Sequence, residues 1–251
     1  MNETEENLNV ILTAKVSYGT YESGDIEFEI EVRYILDEVE EYYLSITATS
    51  GDLLLSQLRT LITETHDTIM TYDGLKTHLQ QADEDPNNPN NMLLFYSGVS
   101  VEKSANMNVW NREHVWAQNL TKDENEVKWF GESGAGADMH HLRPCNPSLN
   151  SSRSDKKFGN QTNEKYFYPV IGEADYRGDV ARIIFYMFVR YEEADKFDFT
   201  AVSEYELLFL EWNEIDPVSE TEIIRNDYTY QIQGNRNPFI DYPEYAKMIW
   251  G

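Results

Sequence analysis

The 251-residue sequence contains one cysteine, Cys145, so no disulfide can form within the chain and no thiolate cage can hold zinc. Beside Pro144, that cysteine reads as a small packing residue rather than a nucleophile. No apolar run approaches the ~18 residues of a membrane-spanning helix. The opening Met1-Asn2-Glu3-Thr4-Glu5-Glu6 lacks the basic and apolar regions of a signal peptide. Positive charge is also scarce. Twenty Lys and Arg face 45 Asp and Glu, a net charge of −25, which argues against holding nucleic acid by bulk charge. Gly-x-Ser-x-Gly is missing, and no Glu sits beside paired histidines at helical spacing, which disfavours serine-triad and zinc-peptidase chemistry.

What charge there is lies unevenly. Residues 1–52 hold thirteen acids against Lys15 and Arg33 alone. From Asp138 to Arg190 the balance reverses: Arg143, Arg153, Lys156, Lys157, Lys165, Arg177, Arg182 and Arg190 outnumber six acids. This predicts a locally basic working face on an acidic body, with divalent cations adding positive charge.

The length suits one domain with a small appendage. Residues 8–36 alternate apolar and polar around Glu22-Ser23-Gly24-Asp25, the pattern of a β-hairpin. Behind Ser50-Gly51-Asp52, the residues Leu53, Leu54, Leu58, Leu61 and Ile62 give a helix one apolar face, and a second helix begins near Tyr72-Asp73. Asp83 to Asn91 reads as a loop. Its Asp83, Asp85 and Asn87 mimic a calcium loop, but Asn88 replaces the required Gly and Leu94 the required Glu. A short apolar strand, Met92 to Tyr96, follows. Gly178-Asp179 cap an apolar helix from Val180 to Tyr191, with Arg182, Tyr186 and Arg190 on another face, either solvated or contacting phosphate. Further helices run from Leu207 to Trp212 and from Ser219 to near Gly234, where glycine suits the terminating position.

The chemistry concentrates between Asn111 and Gly159. Asn111-Arg112-Glu113-His114-Val115-Trp116 supplies a carboxylate and an imidazole side by side. Asp138-Met139-His140-His141-Leu142-Arg143-Pro144 supplies two more imidazoles on an expected strand, of which alternation lets only one reach a site. Asn146-Pro147 is a helix start, Asn as N-cap and Pro in the first turn; it sets Asn150 and Arg153 on one face. Strand, strand and helix form a compact ββα unit. Phosphodiester hydrolysis needs an activated water, neutralised non-bridging oxygens and help for the departing oxygen. A hard cation can work with one or two protein oxygens, and Glu113 and Asn150 offer them. An arginine one turn from such a ligand, Arg153, suits bidentate phosphate binding, as does Arg143.

These segments, with Asn150-Ser151-Ser152-Arg153-Ser154, Gly178-Asp179-Val180-Ala181-Arg182, Trp212-Asn213, Asp216-Pro217-Val218 and Gln233-Gly234-Asn235-Arg236-Asn237-Pro238-Phe239, resemble the bacterial endonuclease I family across about residues 42–251. The resemblance implies an α+β fold: a mainly helical domain around a ββα-metal finger over 42–251, with residues 1–41 a hairpin extension outside it. It implies a Mg²⁺-dependent, sequence-non-specific endonuclease, Ca²⁺ or Mn²⁺ being alternatives. His114 would be the general base, and Glu113 and Asn150 the metal ligands. DNA and RNA would be cut to 5′-phosphorylated products; on chemistry rather than resemblance, Arg153, Arg143, His141 and Arg112 are expected against the substrate. The resemblance further implies a secreted or periplasmic protein, and the sequence reads as a monomer with no obligate protein partner and no membrane span. Ala117 departs from the proline that often follows Trp in the family. The competing readings are a catalytically inactive nucleic-acid-binding module and an extracellular binding protein.

Overall fold

Alternating residues near the N-terminus pair as strands: Val10–Thr13 (β1) runs antiparallel to Glu31–Tyr34 (β2), with Val10 opposite Tyr34 and Thr13 opposite Glu31. A computed structural model of the chain describes residues 10–13, 31–34, 37–104, 108–121, 133–191 and 199–251. The turn expected at Glu22 to Asp25 lies outside them. A short helix, Glu38–Tyr42 (α1), starts on a capping box: Asp37 Oδ1 accepts from Glu40 N, and Glu40 Oε2 accepts from Asp37 N. The chain divides into two compact units, Met1–Ser45 and Ile46–Gly251.

The second unit mixes helices with short strands. Gly51–Glu64 (α2) buries Leu54, Leu58 and Ile62, a spacing of four that keeps one stripe inward, while Leu53 faces out. Leu75–Ala82 (α3) packs Leu75, Leu79 and Ala82 on Ala137, Met139 and Leu142. Glu84–Asp85 (β3), Asn88–Leu94 (β4) and Val99–Glu102 (β5) form an antiparallel sheet in that order. The expected loop around Asp85 is thus a tight hairpin, Asp85 opposite Asn88. The Asp85 carboxylate accepts from Asn87 N at 2.9 Å and from Ser100 Oγ at 2.5 Å, so both oxygens brace the turn.

Asn111–His114 (β6) and Leu142–Cys145 (β7) pair antiparallel, Glu113 opposite Arg143, and Pro147–Arg153 (α4) follows directly. A two-stranded ribbon is marginal by itself. This one is braced by Phe95 N donating to Pro144 O at 2.7 Å on one side and by α4 against β6 on the other. His140 and His141, expected on a strand, sit in the turn just before β7.

Two small ladders come next: Lys157–Phe158 (β8) parallel to Tyr166–Phe167 (β9), and Val170–Ile171 (β10) antiparallel to Ala174–Asp175 (β11). The closing helices are Arg177–Arg190 (α5), Leu208–Ile215 (α6), Glu220–Gln233 (α7), Pro238–Asp241 (α8) and Tyr245–Trp250 (α9). Their core is aromatic: Phe185 meets the rings of Phe199, Phe209, Phe239 and Trp250 at 5.1 to 6.4 Å. Gly234 ends α7 at φ 86°, which a side chain would disfavour.

The Arg182, Tyr186 and Arg190 stripe corrects both readings of it, because α5 is buried nearly all round. Arg182 forks onto Glu222 at 2.7 and 2.8 Å, Tyr186 Oη donates to Asp138 at 2.7 Å, and Arg190 Nε donates to His66 at 3.2 Å. Arg182 thus ties α5 to α7, while Tyr186 and Arg190 tie it to Asp138 and His66 in the connecting segments.

Candidate active site

Along a strand, neighbouring side chains face opposite ways, so Glu113 and His114 would part company if β6 continued. It ends at His114, the chain bends at Val115-Trp116, and both residues line one surface pocket of about 140 Å³ with Arg112 and Asn150.

Glu113 is 2 % exposed. Its Oε1 accepts from Tyr96 Oη at 2.9 Å and faces Arg153 Nη1 at 3.2 Å; among the described residues Oε2 has no partner. Burial raises the Glu113 pKa, against the pull of Arg153 and of the Tyr96 hydroxyl. Tyr96 stands at φ 66°, a conformation costly for a bulky residue and held here by the packed rings of Phe95 and Phe167.

Asn150 lies one turn into α4. The helix starts where expected: Asn146 Oδ1 accepts from Ser148 N and Leu149 N, and Pro147 fills the first turn. Asn150 Nδ2 donates to Asn111 Oδ1 at 2.8 Å and to the Arg112 carbonyl at 3.2 Å. A carbonyl only accepts, so the nitrogen is fixed on that branch and Oδ1 is left without a partner among the described residues.

His114 Nε2 lies 3.0 Å from the Gly136 carbonyl. The same logic puts the proton on Nε2 and the lone pair on Nδ1; the Gln118 amide nitrogen, 3.2 Å from the same Nε2, then cannot donate to it and must give way to the amide oxygen. Burial, then the neighbouring His141, bring the His114 pKa down to about 3, so the ring is neutral near pH 7. It stacks on Tyr72 at 5.6 Å and meets His141 edge-on at 5.4 Å. The Arg112 guanidinium sits 3.6 Å over the same Tyr72 ring. Its Nη1 donates to Tyr72 O at 2.5 Å, while its Nε finds no partner among the described residues.

Three expected substrate contacts are differently employed. His141 is fully buried: Nδ1 donates to Ala135 O at 2.8 Å and Nε2 accepts from Trp116 N at 3.0 Å, so neither nitrogen is left for substrate. Arg143 is buried, donating to Asp83 at 2.8 Å beside Asp179 at 3.6 Å, with Phe95 beneath it, and it lines a different pocket. Arg153 is 1 % exposed in its side chain and donates to the carbonyls of His114 at 3.0 Å and Val115 at 2.5 Å. Those carbonyls leave the sheet where β6 ends and need donors; Arg153 supplies them and steadies Glu113. Reading the sequence missed Tyr96, Asn111, Tyr72 and Gly136. Only Asn111, next but one to Glu113, offered any signal.

The donor set suits a hard cation. One carboxylate oxygen and one amide oxygen open onto the same pocket, each with its sister atom tied back to protein. Among the described residues no three His, Cys, Asp or Glu cluster as ligands, so a site here would keep several waters, as Mg²⁺ prefers.

Residues 50–244, which include β6, β7 and α4, match the family model for endonuclease I. The chain belongs to the endonuclease I family. An extracellular ribonuclease of Bacillus subtilis (strain 168) is 38 % identical over 237 residues, covering 85 % of this chain and 79 % of that protein. An extracellular ribonuclease of Bacillus amyloliquefaciens is 37 % identical over 240 residues, with the same coverage of each. Endonuclease-1 of Buchnera aphidicola subsp. Baizongia pistaciae (strain Bp) is 27 % identical over 168 residues, 57 % of this chain and 66 % of the other. As an endonuclease I family member the chain is a nuclease, a hydrolase acting on nucleic acid. Among the described residues no helix is long and apolar enough to cross a membrane.

Proposed function

We propose that the protein is a metal-dependent, sequence-non-specific endonuclease that cuts RNA and DNA to 5′-phosphorylated products. One observation carries the reading: Glu113 Oε2, Asn150 Oδ1 and the unprotonated His114 Nδ1 are polar atoms without partners among the described residues, gathered at one pocket. Glu113 and Asn150 would hold Mg²⁺. When bound, the cation neutralises charge on the non-bridging oxygens and eases departure of the leaving oxygen.

The chain's own groups do the rest. His114 Nδ1 takes the proton of the attacking water, and the Nε2 hydrogen bond to Gly136 keeps the ring in that tautomer. A ring held at about 3 is a weak base at rest; the arriving anionic phosphate raises its proton affinity. Arg112, whose Nη1 is engaged by Tyr72 O with Asp73 at 3.4 Å and whose Nε is buried, would reach a non-bridging oxygen with Nη2. Phosphate and metal contacts carry no base information, so low sequence specificity follows. The two ribonuclease relatives bring RNA into the substrate range, and the word extracellular in their names supports secretion. We infer that the protein acts as a monomer.

A divalent-metal panel against supercoiled plasmid and single-stranded RNA, with and without EDTA, tests the reading. Cleavage that needs the metal, yields 5′-phosphates and falls by about 10²- to 10⁴-fold in His114→Ala supports it. Metal-independent cleavage, or a gel shift without cleavage in Mg²⁺, overturns it.

A further inference from the structure

Positive charge at this protein's surface is rare enough for its location to carry information. Arg143, Arg182, Arg225 and Arg236 are buried in ion pairs. Of the six lysines among the described residues, Lys103 and Lys247 face Glu84 and Glu214. Three of the remaining four, Lys156, Lys157 and Lys165, line a single open pocket of about 390 Å³ with Tyr166, Asp155 and Glu164. That pocket shares Asp155 with the catalytic pocket, so the two adjoin.

The local fold builds this surface. In the β8–β9 ladder Lys157 is opposite Tyr166 and Phe158 opposite Phe167. Phe158 and Phe167 are buried, so alternation turns Lys157 and Tyr166 outward together. The Tyr166 ring rests on Gly159, where a Cβ would lie 3.0 Å from its first ring carbon; glycine is what lets the ring settle there. Lys157 Nζ donates to Thr200 O at 2.5 Å, but the ammonium groups of Lys156 and Lys165 have no partner among the described residues. Two free cations beside a fixed aromatic face are the elements that hold a single strand: phosphates on the ammonium groups and a base on the ring. The three lysines exceed Asp155 and Glu164 in the pocket lining by one charge on a chain whose net charge is −25, and the Glu204 carboxylate beside Gly159 accepts from Asn160 N at 3.1 Å.

We propose that this pocket binds the single-stranded segment flanking the scissile phosphate, with Lys156 and Lys165 on its backbone and Tyr166 under a base. The proposal rests on the nuclease site above for what lies next door.

The test is fluorescence anisotropy in EDTA with labelled oligothymidylate and oligouridylate roughly 12 nucleotides long. In Lys156→Ala/Lys165→Ala the dissociation constant rises about tenfold or more, and the slope of log K against log salt flattens by roughly 1.4, about 0.7 for each phosphate left without its lysine. Lys156→Arg/Lys165→Arg restores both. Tyr166→Ala weakens single-strand binding roughly fivefold or more and leaves duplex binding unchanged. Neither lysine side chain is bonded to the fold, so circular dichroism melts should coincide with wild type. An unchanged constant and slope in the lysine pair overturns the proposal, as does an equal loss of duplex binding in Tyr166→Ala. If the wild type binds through the lysines but cleaves nothing in any divalent cation, the catalytic reading fails and the binding track stands.

Discussion

Asn111 Oδ1 accepts a hydrogen bond from Asn150 Nδ2 at 2.8 Å, tying the first residue of β6 to the middle of α4. With the Arg112 carbonyl on the same nitrogen, the Asn150 amide has one orientation available. Asn111 therefore governs a candidate ligand without touching the cation. Asn111→Leu should raise the Mg²⁺ concentration for half-maximal cleavage by about 10- to 100-fold, the usual weight of such supporting bonds. Activity at saturating Mg²⁺ should change little. Asn111→Asp keeps the acceptor and should need no more Mg²⁺ than wild type. A Mg²⁺ titration of plasmid nicking distinguishes them; an unchanged requirement in Asn111→Leu would remove Asn111 from this role.

The Tyr96 hydroxyl does the corresponding work for Glu113, donating to Oε1 so that Oε2 remains for a ligand. Tyr96→Phe keeps the ring and its packing on Phe95 and Phe167 but leaves a buried carboxylate with Arg153 alone. Stability should fall by about 1–3 kcal/mol, the cost of an unmade buried hydrogen bond. Saturating Mg²⁺ should restore part of that stability, because a cation on Oε2 compensates the lost donor. Urea melts with and without Mg²⁺ measure both. Equal losses in the two conditions would separate Tyr96 from the cation.

What was legible in the sequence was local. Asn146 as cap, Pro147 in the first turn, and Asn150 and Arg153 on one helix face all follow from residues within a few positions of one another. So does the capping box of Ser219 and Glu222 on α7. The destination of the charged side chains was not legible. Arg143, Arg153 and Arg182 look like phosphate ligands in the bare sequence, but their partners come from Asp83, from the end of β6 and from Glu222. Only the fold brings those segments near. Alternation also parts Glu113 from His114, and the end of a strand reunites them. Of the bases expected on one working face, Lys156, Lys157 and Lys165 line an open pocket, whereas Arg143, Arg153 and Arg182 are buried.

If Arg143 is structural, its loss should be felt in folding and not in catalysis. Arg143→Ala leaves Asp83 with Arg225 alone and Asp179 without its nearest cation on β7. Breaking a buried pair from one side costs about 3–5 kcal/mol. The expected outcome is a large drop in urea midpoint with kcat per folded molecule within about twofold, as for any substitution clear of the reacting atoms. A stable variant whose KM rises steeply would return Arg143 to the substrate.

His140 carries a pH prediction with a defined sign. Burial holds its pKa down to about 4, though Asp138 pulls it up; unfolded, it would titrate at the ordinary histidine value of 6.5. As pH falls from 6.5 to 4 the unfolded chain binds a proton that the native chain refuses, so stability is lost across that window. For His140 alone the loss is about 2 kcal/mol by about pH 5. Asp179 acts the other way: burial and then Glu222 push its carboxyl up to about 8, so it takes a proton in the folded state that an unfolded Asp has released. The wild-type profile therefore sums opposing effects, and a difference isolates one of them. His140→Gln can still donate to Asn235 O, now accepting from His140 Nε2 at 3.1 Å, but cannot titrate. Between about pH 7.5 and about pH 5, wild type should lose about 2 kcal/mol more than His140→Gln in urea unfolding. Parallel losses would mean that His140 titrates in the folded protein near its ordinary value and that its burial does not govern acid stability.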